Sequence, residues 1–157
     1  MIVSVTQQNL MQAARVHAAS WRESHKGFCS PDFVAAHTPQ RQADYLAREL
    51  EQGKALWMLV LEEPVGLVSV WGNLIENLYV LSARQRQGHG SSLLDFAIAR
   101  CAGTPTLWIL SNNHRARSFY EKHGFQFTGR THPLSGGLSE LEMQLPGHKT
   151  TKKPVRF

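Results

Sequence analysis

The sequence predicts an α/β protein, a mixed central sheet of about six to seven strands flanked by about four helices. Three observations carry that reading. Short runs that alternate or stay apolar give way to longer runs of helical spacing, in the order βαα–βββ–α–β–α–ββ. Three of the strands follow one another with only turn residues between them, which makes an antiparallel meander. The strand that closes the meander passes through Gln85-Arg86-Gln87-Gly88-His89-Gly90 straight into a helix.

Taken in order, residues 2–6 (IVSVT) alternate as a short strand. Residues 8–24 place Leu10, Ala13, Ala14, Val16 and Ala18 at helical spacing, with Asn9 as the N-cap. Gly27 to Pro31 breaks the pattern, and a short helical piece runs to about His37. Pro39 opens a longer helix with Thr38 as cap, Tyr45, Leu46 and Leu50 on one face, and Gly53 as its stop. Strands at 55–61, 65–71 and 74–80 form the meander. A helix over 91–102 buries Leu93, Leu94, Ala97 and Ile98. A buried strand covers 106–110 and a helix 113–122. Strands at 125–128 and 138–145, joined by a loop containing Pro and Gly, complete the chain.

With 157 residues the chain is long enough for one domain with a real core, expected over 1–146. Residues 147–157 (GHKTTKKPVRF) read as a basic, flexible C-terminal tail. The longest apolar run, 55–61, is far too short to span a bilayer, so no membrane partner is expected. The N-terminus has neither a basic start nor a sustained apolar stretch. Cys29 and Cys101 form no CxxC, so a cytoplasmic location is expected. The net charge of +5 admits a polyanionic partner. No helix-turn-helix or RNP-like aromatic motif supports nucleic acid as that partner. The eight histidines form no HxxxH, HExxH or Cys/His cluster, so no metal is expected.

The turn at 85–90 has the chemistry of an anion cradle. The first N–H groups of a helix lack intrahelical partners and carry positive partial charge, and glycines let a bound group come close. Pyrophosphate is the expected guest. A Walker loop is absent, because no Gly-Lys-Ser/Thr occurs. A Rossmann fingerprint fits poorly, because Leu93 stands at the third glycine and no carboxylate follows near Leu110 and Ser111.

Gln85-Arg86-Gln87-Gly88-His89-Gly90 instead matches [Gln/Arg]-x-x-Gly-x-[Gly/Ala] and closely resembles the coenzyme-A-binding turn of the GNAT N-acetyltransferase superfamily. A second motif follows in the right order: Asn113, Ala116, Phe119, Tyr120, Glu121, Gly124 and Phe125 resemble the family's Asn-x-x-Ala-x-x-Phe-Tyr-Glu-x-x-Gly-Phe. The N-terminal SWRESHKGFCSPDF resembles the first helix pair of one branch. The resemblance covers about residues 2–145. Two positions depart from the pattern: Ser82 stands where many members carry proline, and His89 where a small or aliphatic residue is commoner.

The resemblance implies a GNAT fold and acetyl-CoA as co-substrate. It implies a thioester lying between the diverging strands 74–80 and 106–110, held by backbone groups of Leu78, Tyr79 and Val80. Gln85, Arg86, Gln87, Gly88, His89, Gly90 and Ser91 are the implied pyrophosphate site, and Asn113 the partner of the pantetheine arm or a helix N-cap. Tyr120 is the implied general acid at the cofactor sulfur, or else a core aromatic. An alkyl amine with pKa ~10.4 must shed a proton before attack. Glu76 working through water is the candidate base, with His25, Tyr79 and unassisted water as rivals. Trp21, His25 and Phe28 are the candidate acceptor-binding residues, together with the loop 131–138, although Trp21 could equally fill the space between helices. The implied function is acetyl transfer to a primary amine, on a small metabolite or a peptide amino terminus. The alternative is a catalytically silent coenzyme-A-binding regulatory module, against which Tyr120 and Asn113 argue. A homodimer through the last strands is the implied assembly.

Overall fold

The computed structural model of the chain describes residues 1–27 and 29–147. Its strands are β1 (Ile2–Ser4), β2 (Ala55–Val60), β3 (Pro64–Trp71), β4 (Leu74–Val80), β5 (Thr106–Leu110), β6 (Gln126–Pro133) and β7 (Ser139–Gln144). They form one seven-stranded mixed sheet in the order β1-β2-β3-β4-β5-β7-β6. The helices are α1 (Leu10–His25), α2 (Pro31–Ala35), α3 (Pro39–Glu51), α4 (His89–Ile98) and α5 (His114–Lys122). Four are full helices and α2 is the short piece anticipated after the Gly27 break.

Alternation along β2 assigns the two faces. Leu56 and Met58 bury on one face with Ala13, Ala14 and Val16 of α1 and Ala43 and Leu46 of α3. Trp57 and Leu59 turn to the other face, against a core that holds Leu93, Leu94 and Ala97 of α4. Leu46, Leu93 and Leu94 are fully buried, and each contributes roughly 1.5–3 kcal/mol by leaving water. The sheet is thus the middle of three layers.

One irregularity positions the site. β4 and β5 run parallel but share a single Cα pair, Leu74↔Thr106. β5 is held on its far side by β7, antiparallel along its whole length. β4 is held on its near side by β3, with a register shift between Leu67 and Ser69. Each strand is therefore anchored away from the other, and beyond Leu74 they part. The gap between them opens toward the N-terminus of α4.

Several local readings need correction. Asn9 occupies the N-cap position of α1 but makes no capping bond. Its Oδ1 accepts from the Thr6 N–H (2.8 Å) and its Nδ2 donates to the Ser4 carbonyl (3.0 Å), so it closes the β1–α1 turn instead. Ser30 and Thr38 do cap α2 and α3. α4 begins at His89 rather than 91, because Gly88 takes the left-handed conformation as its N-cap. The strand expected over 125–128 runs from Gln126 to Pro133. It lies at the sheet edge and carries a register shift between Phe127 and Thr131 with Gly129 at φ 88°. An edge strand with a bulge tolerates both glycine and proline, which read as breakers in the sequence. β5 is only half buried, with Leu107 and Ile109 in the core. The tail expected over 147–157 lies outside the described residues beyond Gly147. Among the described residues no helix is long and apolar enough to cross a membrane.

Candidate active site

A cleft of about 1280 Å³ runs from the turn before α4, through the β4/β5 gap, to the space under α1 and α3. At one end is the glycine turn. Arg86 (φ 61°) and Gly88 (φ 85°) both adopt left-handed backbone, so successive amides curl into a nest. No backbone N–H from Arg86 to Ser91 donates to an acceptor among the described residues; the first amide of α4 to do so is Ser92, to the Gly88 carbonyl. No acidic residue sits in the first turn of α4. A Cβ at Gly90 would stand 3.4 Å from the Phe119 ring, while Gly88 faces open space. The turn therefore fits a pyrophosphate through unengaged donors. Arg86, Gly88, Gly90 and Ser91 line the cleft. Gln85 lines it too, but its side chain donates to the Val80 carbonyl (2.9 Å) and so pins the turn to the end of β4. Gln87 and His89 do not line the cleft, so any contribution of theirs is through the backbone.

At the gap, Leu78, Tyr79 and Val80 face Asn113, Ala116 and Tyr120. Asn113 Oδ1 caps α5 by accepting from the Ala116 N–H (3.1 Å), and its amide Nδ2 has no partner among the described residues. Tyr120 packs edge-on against Phe119 and Phe125. Burial raises its pKa well above the usual phenol value, and the neighbouring Tyr79 raises it further. Tyr79 is raised in the same way by burial and by Tyr45. Both phenols stay protonated and can donate a hydrogen bond into the gap.

The β4 bulge is held by side chains. Asn77 sits there with φ 54°. Its Nδ2 donates to Ser69 Oγ (3.1 Å), which itself donates to the Glu76 carbonyl (3.1 Å). Gln42 Nε2 lies 2.7 Å from His17 Nδ1. An amide nitrogen can only donate, so His17 carries its proton on Nε2 and donates it to Asn77 Oδ1 at 3.1 Å. His17 is 2% exposed. Burial lowers its pKa, partly offset by the Asn77 bond, and His37 and His25 lower it further. It is a neutral buried imidazole tying α1 and α3 to the bulge.

On the acceptor side, Trp21 is stacked between two imidazoles: His25 at 4.0 Å between centroids and His37 at 3.4 Å. The Trp21 ring packs against His25, Phe33 and His37, and Trp21 is also among the residues that line the cleft. His25 Nδ1 bonds the Trp21 carbonyl (2.8 Å), and burial lowers its pKa despite that bond. Glu76 lines the cleft on the Tyr79 side, with Lys54 Nζ 3.3 Å from its Oε1. Lys54 is also 2.7 Å from Glu49. Glu23 Oε2 accepts the Ser82 N–H at 3.0 Å. Proline would have no N–H to give, so the departure at Ser82 is used to tie α1 to the end of β4. Phe28 lies outside the described residues.

Trp21, His25, Glu76, the β4 triad, Asn113 and Tyr120 thus come together. Sequence reasoning missed His17, Ser20, His37, Arg41, Gln42, Tyr45, Arg48 and Asn77. Two signals were available: a histidine on the apolar stripe of α1, and an asparagine, poor in strands but tolerant of positive φ, inside β4. Among the described residues no group of three or more His, Cys, Asp or Glu is placed to hold a metal.

Comparison with known proteins agrees with this geometry. A family model described as an acetyltransferase (GNAT) domain matches residues 52–127, which span the meander, the turn, α4, β5 and α5. Those residues carry a GNAT acetyltransferase domain. A protein of Mycobacterium tuberculosis named "Probable N-acetyltransferase Rv2775" is 29% identical over 80% of each chain. The peptidyl-lysine N-acetyltransferase YjaB of Salmonella typhimurium is 29% identical over 72% of this chain and 77% of its own. The crystal structure of PaiA N-acetyltransferase from Thermoplasma acidophilum in complex with coenzyme A superposes with a TM-score of 0.66. It covers 90% of this chain and 96% of its own at 16% identity, and so shares the GNAT fold. The chain is a GNAT acetyltransferase enzyme.

Proposed function

We propose that the enzyme transfers the acetyl group of acetyl-CoA to a primary amine by direct attack, the amine belonging to a small molecule or a peptide amino terminus. The observation that carries this is the single-pair junction of β4 and β5, which opens one continuous cleft between a nest of unengaged amides and a separate polar chamber under α1 and α3. Two substrates can meet there without a covalent enzyme intermediate.

Acetyl-CoA, when bound, supplies an activated acetyl thioester. The amides from Arg86 to Ser91 hold its pyrophosphate, and the Asn113 amide bonds its pantetheine arm. Backbone groups of Leu78, Tyr79 and Val80, the last with its carbonyl already bonded to Gln85, fix the acyl end, and an N–H near Val80 polarises the carbonyl. Glu76, steadied by Lys54, takes the ammonium proton through water. Tyr120 gives its phenolic proton to the leaving sulfur and recovers one from the attacking nitrogen as the amide forms. His25, whose Nε2 makes no hydrogen bond among the described residues, is the rival base.

The test is thiol release from acetyl-CoA over a panel of amines, with wild type and Tyr120→Phe. Amine-dependent release that falls about 100-fold in the variant supports the assignment, since a positioned acid is worth 10²–10⁴ in rate. Equal release by both removes Tyr120 from proton transfer.

A further inference from the structure

We propose that the acceptor amine carries a carboxylate, bound by Arg41 and Arg48 of α3 together with Ser20 of α1; this rests on reading the cleft as the acetyl-transfer site. Of the three carboxylates that line the cleft, Glu23, Glu76 and Glu140, the two carried by α1 and β4 are already engaged. Glu23 accepts the Ser82 N–H, and Glu76 is paired with Lys54. The cations are not. Arg41 and Arg48 line the cleft, and among the described residues their guanidiniums make no ion pair and no hydrogen bond. Arg117 and Arg130, by contrast, each have a glutamate.

Their spacing is directional. Arg41, Tyr45 and Arg48 stand at i, i+4 and i+7, so they share one face of α3, with the arginines about 10 Å apart along the axis and Tyr45 between them. That face looks onto the cleft, because the Tyr45 hydroxyl lies within 3.5 Å of Asn77 in the β4 bulge. Two forked guanidiniums flanking one floor are suited to a planar carboxylate.

Ser20 adds an independent observation. It is 3% exposed and lines the cleft, and its Oγ has no hydrogen-bond partner among the described residues. A buried hydroxyl without a partner is costly unless a guest supplies one. α1 and α3 pack antiparallel, with His17 against Gln42 and Trp21 against His37, which sets Ser20 about level with Thr38 and Pro39, within one turn of Arg41. A carboxylate seated there accepts from Ser20 and Arg41, while an amine a few bonds away reaches the gap at Tyr79 and Tyr120. A polycation meets two unpaired arginines on α3, while Glu23 and Glu76 are both already engaged.

The experiment supplies acetyl-CoA and wild-type enzyme with an equimolar mixture of L-amino acids, their carboxamides, spermidine and an end-blocked lysine peptide. Acetylated products are counted by mass spectrometry. Carboxylate-bearing products should exceed their carboxamide counterparts by about tenfold or more, the loss of one charged hydrogen bond. In Arg41→Gln and Arg48→Gln that ratio should fall toward one, with acetyl-CoA affinity unmoved. Preference for carboxamides, spermidine or the lysine peptide overturns the proposal, as does the absence of any carboxylate-bearing product or a ratio untouched by both variants. Acetyl-CoA affinity, measured alongside by calorimetry, separates the two levels: failure to bind it removes the transfer reading as well, whereas binding with the wrong product class removes only the carboxylate.

Discussion

Replacing His17 with phenylalanine keeps a ring of similar size against Tyr45 and Tyr79 and deletes both of its hydrogen bonds. Gln42, 4% exposed, then buries an amide with no acceptor, and Asn77 Oδ1 keeps only the long Tyr45 contact at 3.5 Å. An unsatisfied buried polar group costs about 1–3 kcal/mol, so the pair should cost about 2–4 kcal/mol near pH 7.5. For a chain of this length that is a fall in Tm of roughly 5–15 °C. The pH dependence is a sharper test. Burial lowers the folded-state pKa of His17 below its unfolded value of 6.5, so the unfolded chain binds the proton more readily. Stability from this group is complete above pH 6.5 and is lost as pH falls below it, by at most about 1.4 kcal/mol per unit. His25 titrates in both proteins and cancels. Urea unfolding of wild type and His17→Phe from pH 5 to 8 should therefore show a gap that narrows as pH falls. A gap under 0.5 kcal/mol at pH 7.5, on the ordinary scale of surface substitutions, or one that widens in acid, would refute the neutral-imidazole network.

Two further outcomes follow from the same geometry. Gly66→Ala places a Cβ 2.9 Å from the Tyr79 carbonyl and 2.9 Å from Leu93 Cδ1. Backbone and a core leucine must both shift, so thermal unfolding should register a loss of about 1–3 kcal/mol, and an unchanged Tm would mean that β3 and β4 are less tightly apposed. Glu76→Gln keeps the shape but cannot accept a proton. Its kcat should drop most below the pKa of the amine and recover as pH rises and free amine accumulates; a pH–rate profile parallel to wild type would pass the role of base to His25 or to water.

Much of the fold was legible because it is local. Leu93, Leu94 and Ala97 at helical spacing, the turns of the meander, and the Thr38-Pro39 start of α3 each announce themselves within a few residues. The glycine turn was legible for the same reason: strand, glycines and helix are contiguous. The missed features are long-range. His17, Gln42 and Asn77 lie far apart in sequence, and nothing near any of them states that they meet. Arg41 and Arg48 read as solvated residues until α3 is laid over the cleft. The divergence of β4 from β5 depends on β3 and β7 pulling from opposite sides. β6 was cut short because Gly129 and Pro133 signal a loop unless the strand is known to be an edge.

The central claim is that the glycine turn holds coenzyme A through unengaged amides. It is tested most directly by calorimetric titration of acetyl-CoA into wild type and into the double variant Gly88→Glu, Gly90→Glu. At Gly88 a side chain is strained at φ 85° and a carboxylate repels phosphate; at Gly90 a Cβ meets Phe119 at 3.4 Å. Saturable binding by wild type that disappears in a variant with unchanged circular dichroism is the predicted result. Equal binding by both folded proteins, or none by wild type, would contradict the account.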